Sequence, residues 1–240
     1  MMKKYTSVAS LTISQTALPA SLVMLAAALL QWLLYQPDTV HFEHSLGLAQ
    51  SLVTLGGLLA LAAVLIFRCC ALYGTRCDYR LYLLQVSPNA VTLLRAALFI
   101  GYFFLYWLTQ LAMVFALYFR FMSNADSSAV LYQGPDLLSL LSYCSPLFHT
   151  LLPLADWPGY LRNIALCISY GCTTAFLAHH IGFYKQRKTL FWGAMLVLAT
   201  LIWLPAETAQ WQSCLYFSLA AVAVPALLYC FILRGVPYEE

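Results

Sequence analysis

Long continuous apolar runs dominate this chain, separated by short polar segments. Six of them, 17–35, 46–67, 96–119, 164–184, 190–205 and 214–233, approach the roughly 20 apolar residues that a helix needs to cross the ~30 Å hydrocarbon core of a bilayer. The fifth is the shortest. None alternates with the period of two that a membrane β-barrel would need. The pattern therefore predicts an all-α polytopic membrane protein with six transmembrane helices in a single domain, 1–240.

Residues 1–16 precede the first span and read as a polar, amphipathic interfacial segment. Lys3 and Lys4 followed by Ala-rich sequence resemble a secretory leader. A small-residue cleavage site leading into a soluble domain is missing, so the first run is expected to be a permanent helix.

Two connecting segments carry a pattern of their own. In 70–86, Leu72, Tyr73, Tyr79, Leu83 and Val86 recur at helical spacing with Arg76, Asp78 and Arg80 between them, which predicts a short amphipathic helix at the membrane surface. Pro88 should end it, and Arg95 marks re-entry into the bilayer. The second segment, 120–161, is the largest connection. Within it, 137–154 has no Asp, Glu, Lys or Arg and is almost long enough to span, but Pro146 and Pro153 interrupt it. Broken helices at or dipping into one face of the membrane are expected here.

Composition agrees with the pattern. The chain is 62% hydrophobic and 9% charged, against about 25% charged in soluble domains. A net charge of +3 is too small and too scattered along the chain to suggest a nucleic-acid partner, and none is expected. Charge also orients the chain, because cytoplasmic loops are enriched in Lys and Arg. With the N-terminus inside, ten basic residues (Lys3, Lys4, Arg68, Arg76, Arg80, Arg95, Lys185, Arg187, Lys188 and Arg234) fall on the cytoplasmic side and two, Arg120 and Arg162, outside. Both termini are then cytoplasmic, and 120–161 is external.

Candidate chemistry is sparse. Cys69, Cys70 and Cys77 face the reducing side and lack Cys-x-x-Cys spacing, so neither a disulfide framework nor a metal site is expected. Adjacent residues on a helix point about 100° apart, so His179 and His180 cannot readily chelate one ion together. His149, His41, Glu43 and His44 belong to no assembled motif. The chain has no nucleophile elbow, zinc-protease motif or nucleotide-binding phosphate loop. No carboxylate or cation lies near the middle of a span, which weighs against an ion-driven transporter. The polar residues left within spans are Gln31, Gln50, Thr54, Thr109, Gln110, Ser169, Thr173 and Thr174. Tyr102, Tyr106 and Gln110 recur every four residues and share a helix face, which is either a candidate substrate path for an amphiphile or ordinary packing.

Six helices with both ends inside, an amphipathic start and a basic loop after the second helix resemble the permease subunits of ABC-2 type ATP-binding-cassette transporters. In that family the loop carries a Leu-rich stretch with a Pro-x-Ser turn, then a Lys or Arg that opens the third helix. The matching residues are Leu83, Leu84, Val86, Ser87 and Arg95. The resemblance implies that 70–86 is a coupling helix contacting a separate ATPase through Arg76, Arg80, Leu83, Leu84 and Ser87. It also implies a homodimer or heterodimer with a second permease, ATP and magnesium held only by the partner ATPase, and export of an amphiphilic or peptide-like substrate across the plasma (cytoplasmic) membrane. The chain itself would be no enzyme and would hold no cofactor.

Two other readings remain open. One is a membrane scaffold or assembly factor that does not transport, in contact with lipid and independent of any ATPase. The other is a small intramembrane enzyme using His149 or the His179-His180 pair, which alanine at those positions would inactivate.

Overall fold

The computed structural model describes residues 2–35, 48–70, 88–124, 146–153, 157–181, 192–197 and 199–200. They form five helices, α1 (Met2–Leu34), α2 (Leu48–Cys69), α3 (Pro88–Asn124), α4 (Pro146–Leu151) and α5 (Trp157–Ile181), and 192–197 is also helical. Among the described residues there is no strand. Four helices, α1, α2, α3 and α5, are long and apolar enough to cross a membrane, so the protein is a helical integral membrane protein. The expected coupling helix at 70–86, apart from Cys70, and the sixth span at 214–233 lie outside the described residues. Of the fifth span, 190–205, only 192–197 and 199–200 are described.

The first helix is longer than its apolar run suggests. It starts at Met2 and continues through Pro19, so that 1–16 and 17–35 do not form separate elements. The reason lies in the polar positions themselves. Hydroxyls of Ser10, Thr12, Ser14 and Thr16 donate to the carbonyls of Ser7, Val8, Leu11 and Thr12 at 2.8–3.1 Å. Each polar side chain is thus satisfied on its own helix, and the backbone need not leave the helical path. Pro88 opens α3 at the first helical position, where its missing N–H costs nothing.

α1, α2, α5 and α3 form a ring in which successive helices touch, while α2 and α3 face each other across the diagonal. Val8 packs with Val91, and Arg120 contacts Trp32, so α1 and α3 run in the same direction. Arg95 reaches Cys69 while Tyr106 reaches Thr54, so α2 runs opposite to α3. Gly171 lies against Ile100 and Tyr170 against Phe103, and the seam between α3 and α5 continues in this antiparallel sense. The C-terminal end of α3 and the N-terminal end of α5 therefore sit on the same side of the bundle.

Two arginines of α3 bracket the bundle. Arg95 is buried and its Nη1 donates to the Cys69 carbonyl at 3.3 Å, at the C-terminal end of α2. Arg120 Nη1 donates to the Trp32 carbonyl at 3.0 Å near the C-terminal end of α1, with its guanidinium 4.6 Å from the Trp32 ring and 5.4 Å from that of Tyr35. A cation at a helix C-terminus meets unpaired carbonyls and the negative end of the helix dipole, so both contacts are favourable. At ~1.5 Å rise per residue the two arginines stand roughly 37 Å apart, slightly more than a hydrocarbon core. Trp107 lies about halfway between them.

The seams are close. A Cβ added at Gly171 would come within 2.6 Å of the Ile100 nitrogen and 2.8 Å of its Cα. At Gly57 it would strike the Tyr106 hydroxyl and come to 3.0 Å from the Ala27 Cβ. Small residues at such points let membrane helices approach to backbone contact, which is how dispersion holds them together where lipid removes the hydrophobic incentive.

Candidate functional site

Polar side chains from three helices meet inside the bundle. Gln31 Nε2 of α1 donates to Gln110 Oε1 of α3 and, at 2.9 Å, to Thr54 Oγ1 of α2. Thr54 Oγ1 lies 2.9 Å from the Gln50 carbonyl and 3.1 Å from Gln110 Oε1, two acceptors for one proton. Gln50 Nε2 donates to the Gln31 carbonyl at 3.1 Å, and the Tyr106 hydroxyl to the Thr54 carbonyl at 2.7 Å. All five residues are buried. One turn further along α3, the Tyr102 hydroxyl sits 3.1 Å from Thr16 Oγ1 of α1.

Tyr102, Tyr106 and Gln110 thus occupy one face, as their spacing predicts, and that face looks into the bundle. Periodicity identified the face but not the partners, which come from positions 52 to 86 residues away in the chain. Thr109 stays on its own helix, donating to the Leu105 carbonyl at 2.8 Å. Thr173 likewise donates to the Ser169 carbonyl of α5 at 2.7 Å.

The second part of the site is α4. This six-residue helix begins at Pro146, is followed by buried Pro153, and is far too short to span. Its C-terminal carbonyls are satisfied by side chains of the neighbouring helices. Asn163 Nδ2 donates to the Thr150 carbonyl at 2.8 Å and to that of Leu151 at 3.4 Å. Trp107 Nε1 donates to the Leu151 carbonyl at 3.2 Å, and Arg162 Nη2 to that of Thr150 at 3.3 Å. α4 therefore ends at the level of Trp107, half the depth of the bundle. A broken helix is tolerated there because protein, not lipid, surrounds its end. Asn163 and Trp107 were not singled out from sequence: Asn163 lies just outside the apolar run at 164–184, and Trp107 reads as one aromatic among many.

Between α4 and the polar cluster lies a small cavity of about 20 Å³, lined by Thr54, Tyr106, Gln110, Asn163 and Tyr170 on its polar side and by Phe103, Trp107 and Leu166 among its apolar walls. Among the described residues no carboxylate or cation lines the cavity itself, whose walls donate and accept hydrogen bonds; the nearest charge is Arg162, which reaches the Thr150 carbonyl at the end of α4.

The other candidate residues are more dispersed. Arg76, Arg80, Leu83, Leu84 and Ser87 lie outside the described residues. His179 is partly buried near the C-terminal end of α5, and the side chains of His149 and His180 lie outside the described residues. Cys70, Cys167 and Cys172 are thiols not joined in a disulfide. Among the described residues no three His, Cys, Asp or Glu side chains gather in a way that could hold a metal ion. Comparison with protein families, with curated proteins and with solved structures returns no match for this chain.

Proposed function

We propose that this chain is the membrane-spanning permease subunit of an ATP-binding-cassette transporter of the ABC-2 type, exporting an amphiphilic or peptide-like solute and working with a second permease, identical or not. The observation that carries the proposal is the polar layer at half depth, where α4 breaks off against Gln110, Asn163 and Trp107. Secondary transporters place solute sites at this depth and build them from discontinuous helices, a physical precedent for a solute site in this layer. No carboxylate lines this cavity, so a coupling proton or sodium ion would find no charged partner there, and the energy is expected to enter from elsewhere.

The basic segment 70–86 is the place where it would enter. Its flanks, Cys70 at the end of α2 and Pro88 at the start of α3, lie at the end of the bundle that also holds the start of α1 and the end of α5. Lys3, Lys4, Arg68 and Arg95 belong to that same end. This concentration supports a cytoplasmic face that includes the start of α1, and a docking surface there for an ATPase that binds ATP and magnesium; the proposed orientation has the C-terminus on the same side. Differential contact of segment 70–86 with the two states of that ATPase would rock the helices.

A scaffold role is the second reading, favoured by the way Gln31, Thr54 and Gln110 hydrogen-bond to one another and tie three helices together. Purification of the tagged protein in mild detergent separates the two. The permease reading expects a P-loop ATPase to co-purify in equal amount and to be lost when Arg76, Arg80 and Leu83 are changed together. Absence of an ATPase, under conditions that keep other membrane complexes intact, rejects it in favour of the scaffold.

A further inference from the structure

Two side-chain amides lining the cavity beside α4 have unfinished hydrogen bonds, as does the Tyr170 hydroxyl. Asn163 is only 4% exposed and its orientation is set by Nδ2, which donates to the Thr150 carbonyl; its Oδ1 has no partner. Gln110 is 1% exposed, its Oε1 accepts from Gln31, and its Nε2 has no partner. Both side chains line the same cavity. One therefore contributes an open acceptor and the other an open donor.

Leaving two buried amide atoms unpaired costs more than a hydrogen bond contributes when made. A ligand that accepts from Gln110 and donates to Asn163 removes both penalties. The volume limits its size. About 20 Å³ is available, and one water needs ~10–15 Å³ on this measure together with two to four polar partners. A cation is disfavoured, since Gln110 presents N–H and no carboxylate lines the space. An apolar occupant would leave both atoms unpaired.

We propose that this cavity is a hydration site: one water, accepting from Gln110 Nε2 and donating to Asn163 Oδ1, links α3 to α5 at half depth. Because Asn163 also holds the carbonyls of Thr150 and Leu151, the same water ties the polar cluster of α1, α2 and α3 to α4. This inference does not depend on the transport reading.

The test is an experimental structure of the full chain in lipid nanodiscs, at a resolution that shows ordered water, for the wild type and for Gln110→Met. The wild type should show a density peak within hydrogen-bonding distance of both Gln110 Nε2 and Asn163 Oδ1. The peak should be lost in Gln110→Met, which keeps the volume but not the donor. An empty cavity, a direct Gln110–Asn163 bond, or a peak that persists in Gln110→Met overturns the proposal. Should Gln110→Met fail to fold, Asn163→Leu serves instead: it removes the acceptor at similar volume, so the peak should be lost, and a peak that persists counts against the site.

Discussion

At the scale of single residues, the bundle depends on positions where nothing larger fits. Gly171 and Gly101 make the contrast testable: both are helical, but a Cβ at Gly101 meets nothing within 4 Å, whereas one at Gly171 meets the backbone of Ile100. Backbone cannot swing aside as a side-chain tip can. Gly171→Ala should therefore lower stability by ~1–3 kcal/mol through overpacking, while Gly101→Ala should be neutral or gain up to ~1 kcal/mol from helix propensity. Thermal unfolding of both variants in the same detergent checks this; equal shifts would sink the close-approach account. Arg120 gives a second case. Arg120→Leu loses a bond to the Trp32 carbonyl and a cation–π contact with two rings, and should cost about 1 kcal/mol at this partly exposed site. Arg120→Lys should recover only part of that, because an ammonium cannot stack a flat guanidinium on Trp32.

At the scale of elements, α4 is the piece most dependent on its neighbours. Six residues make too few internal hydrogen bonds to hold a helix alone, so the donors on Asn163, Trp107 and Arg162 fix where it ends. Replacing Asn163 with Leu removes the two bonds to Thr150 and Leu151 and should loosen the segment. A cysteine placed at partly buried Leu152 should then react with a soluble thiol reagent roughly fivefold faster than with Asn163 present, as expected when a bond worth ~1 kcal/mol no longer opposes local opening. An unchanged labelling rate would mean that packing of Leu147 and Leu151 alone seats α4. Of 137–154, only 146–153 lie among the described residues, and there Pro146 opens a helix of six residues.

At the scale of the whole molecule, the relative directions of α1, α2, α3 and α5 put Ser7 and Ser123 at opposite ends of the bundle. The proposed orientation places Ser7 inside and Ser123 outside. In intact cells a membrane-impermeant maleimide should label Ser123→Cys at once and Ser7→Cys only after permeabilisation. The reverse pattern would invert the protein and remove the ATPase face from the end carrying 70–86. Equal labelling of both would contradict a spanning bundle altogether.

Much of the architecture was legible before any coordinates. A backbone in hydrocarbon has to satisfy its own hydrogen bonds, so a continuous apolar run of ~20 residues can be little other than a helix, and α2, α3 and α5 lie where their runs predict, with ends shifted by several residues. The shared face of Tyr102, Tyr106 and Gln110 was legible for a similar reason, since helical spacing is a local property. The boundary at Thr16 was not, because polarity in 1–16 reads as a break while the hydroxyls in fact turn back onto their own helix. What only the tertiary structure decided is which polar groups meet. Gln31 with Gln110, Arg95 with Cys69, and Trp107 with Leu151 are joined by the packing of separate helices. Each chooses its partner by the distance and direction that packing imposes, and no local pattern in the chain encodes that choice.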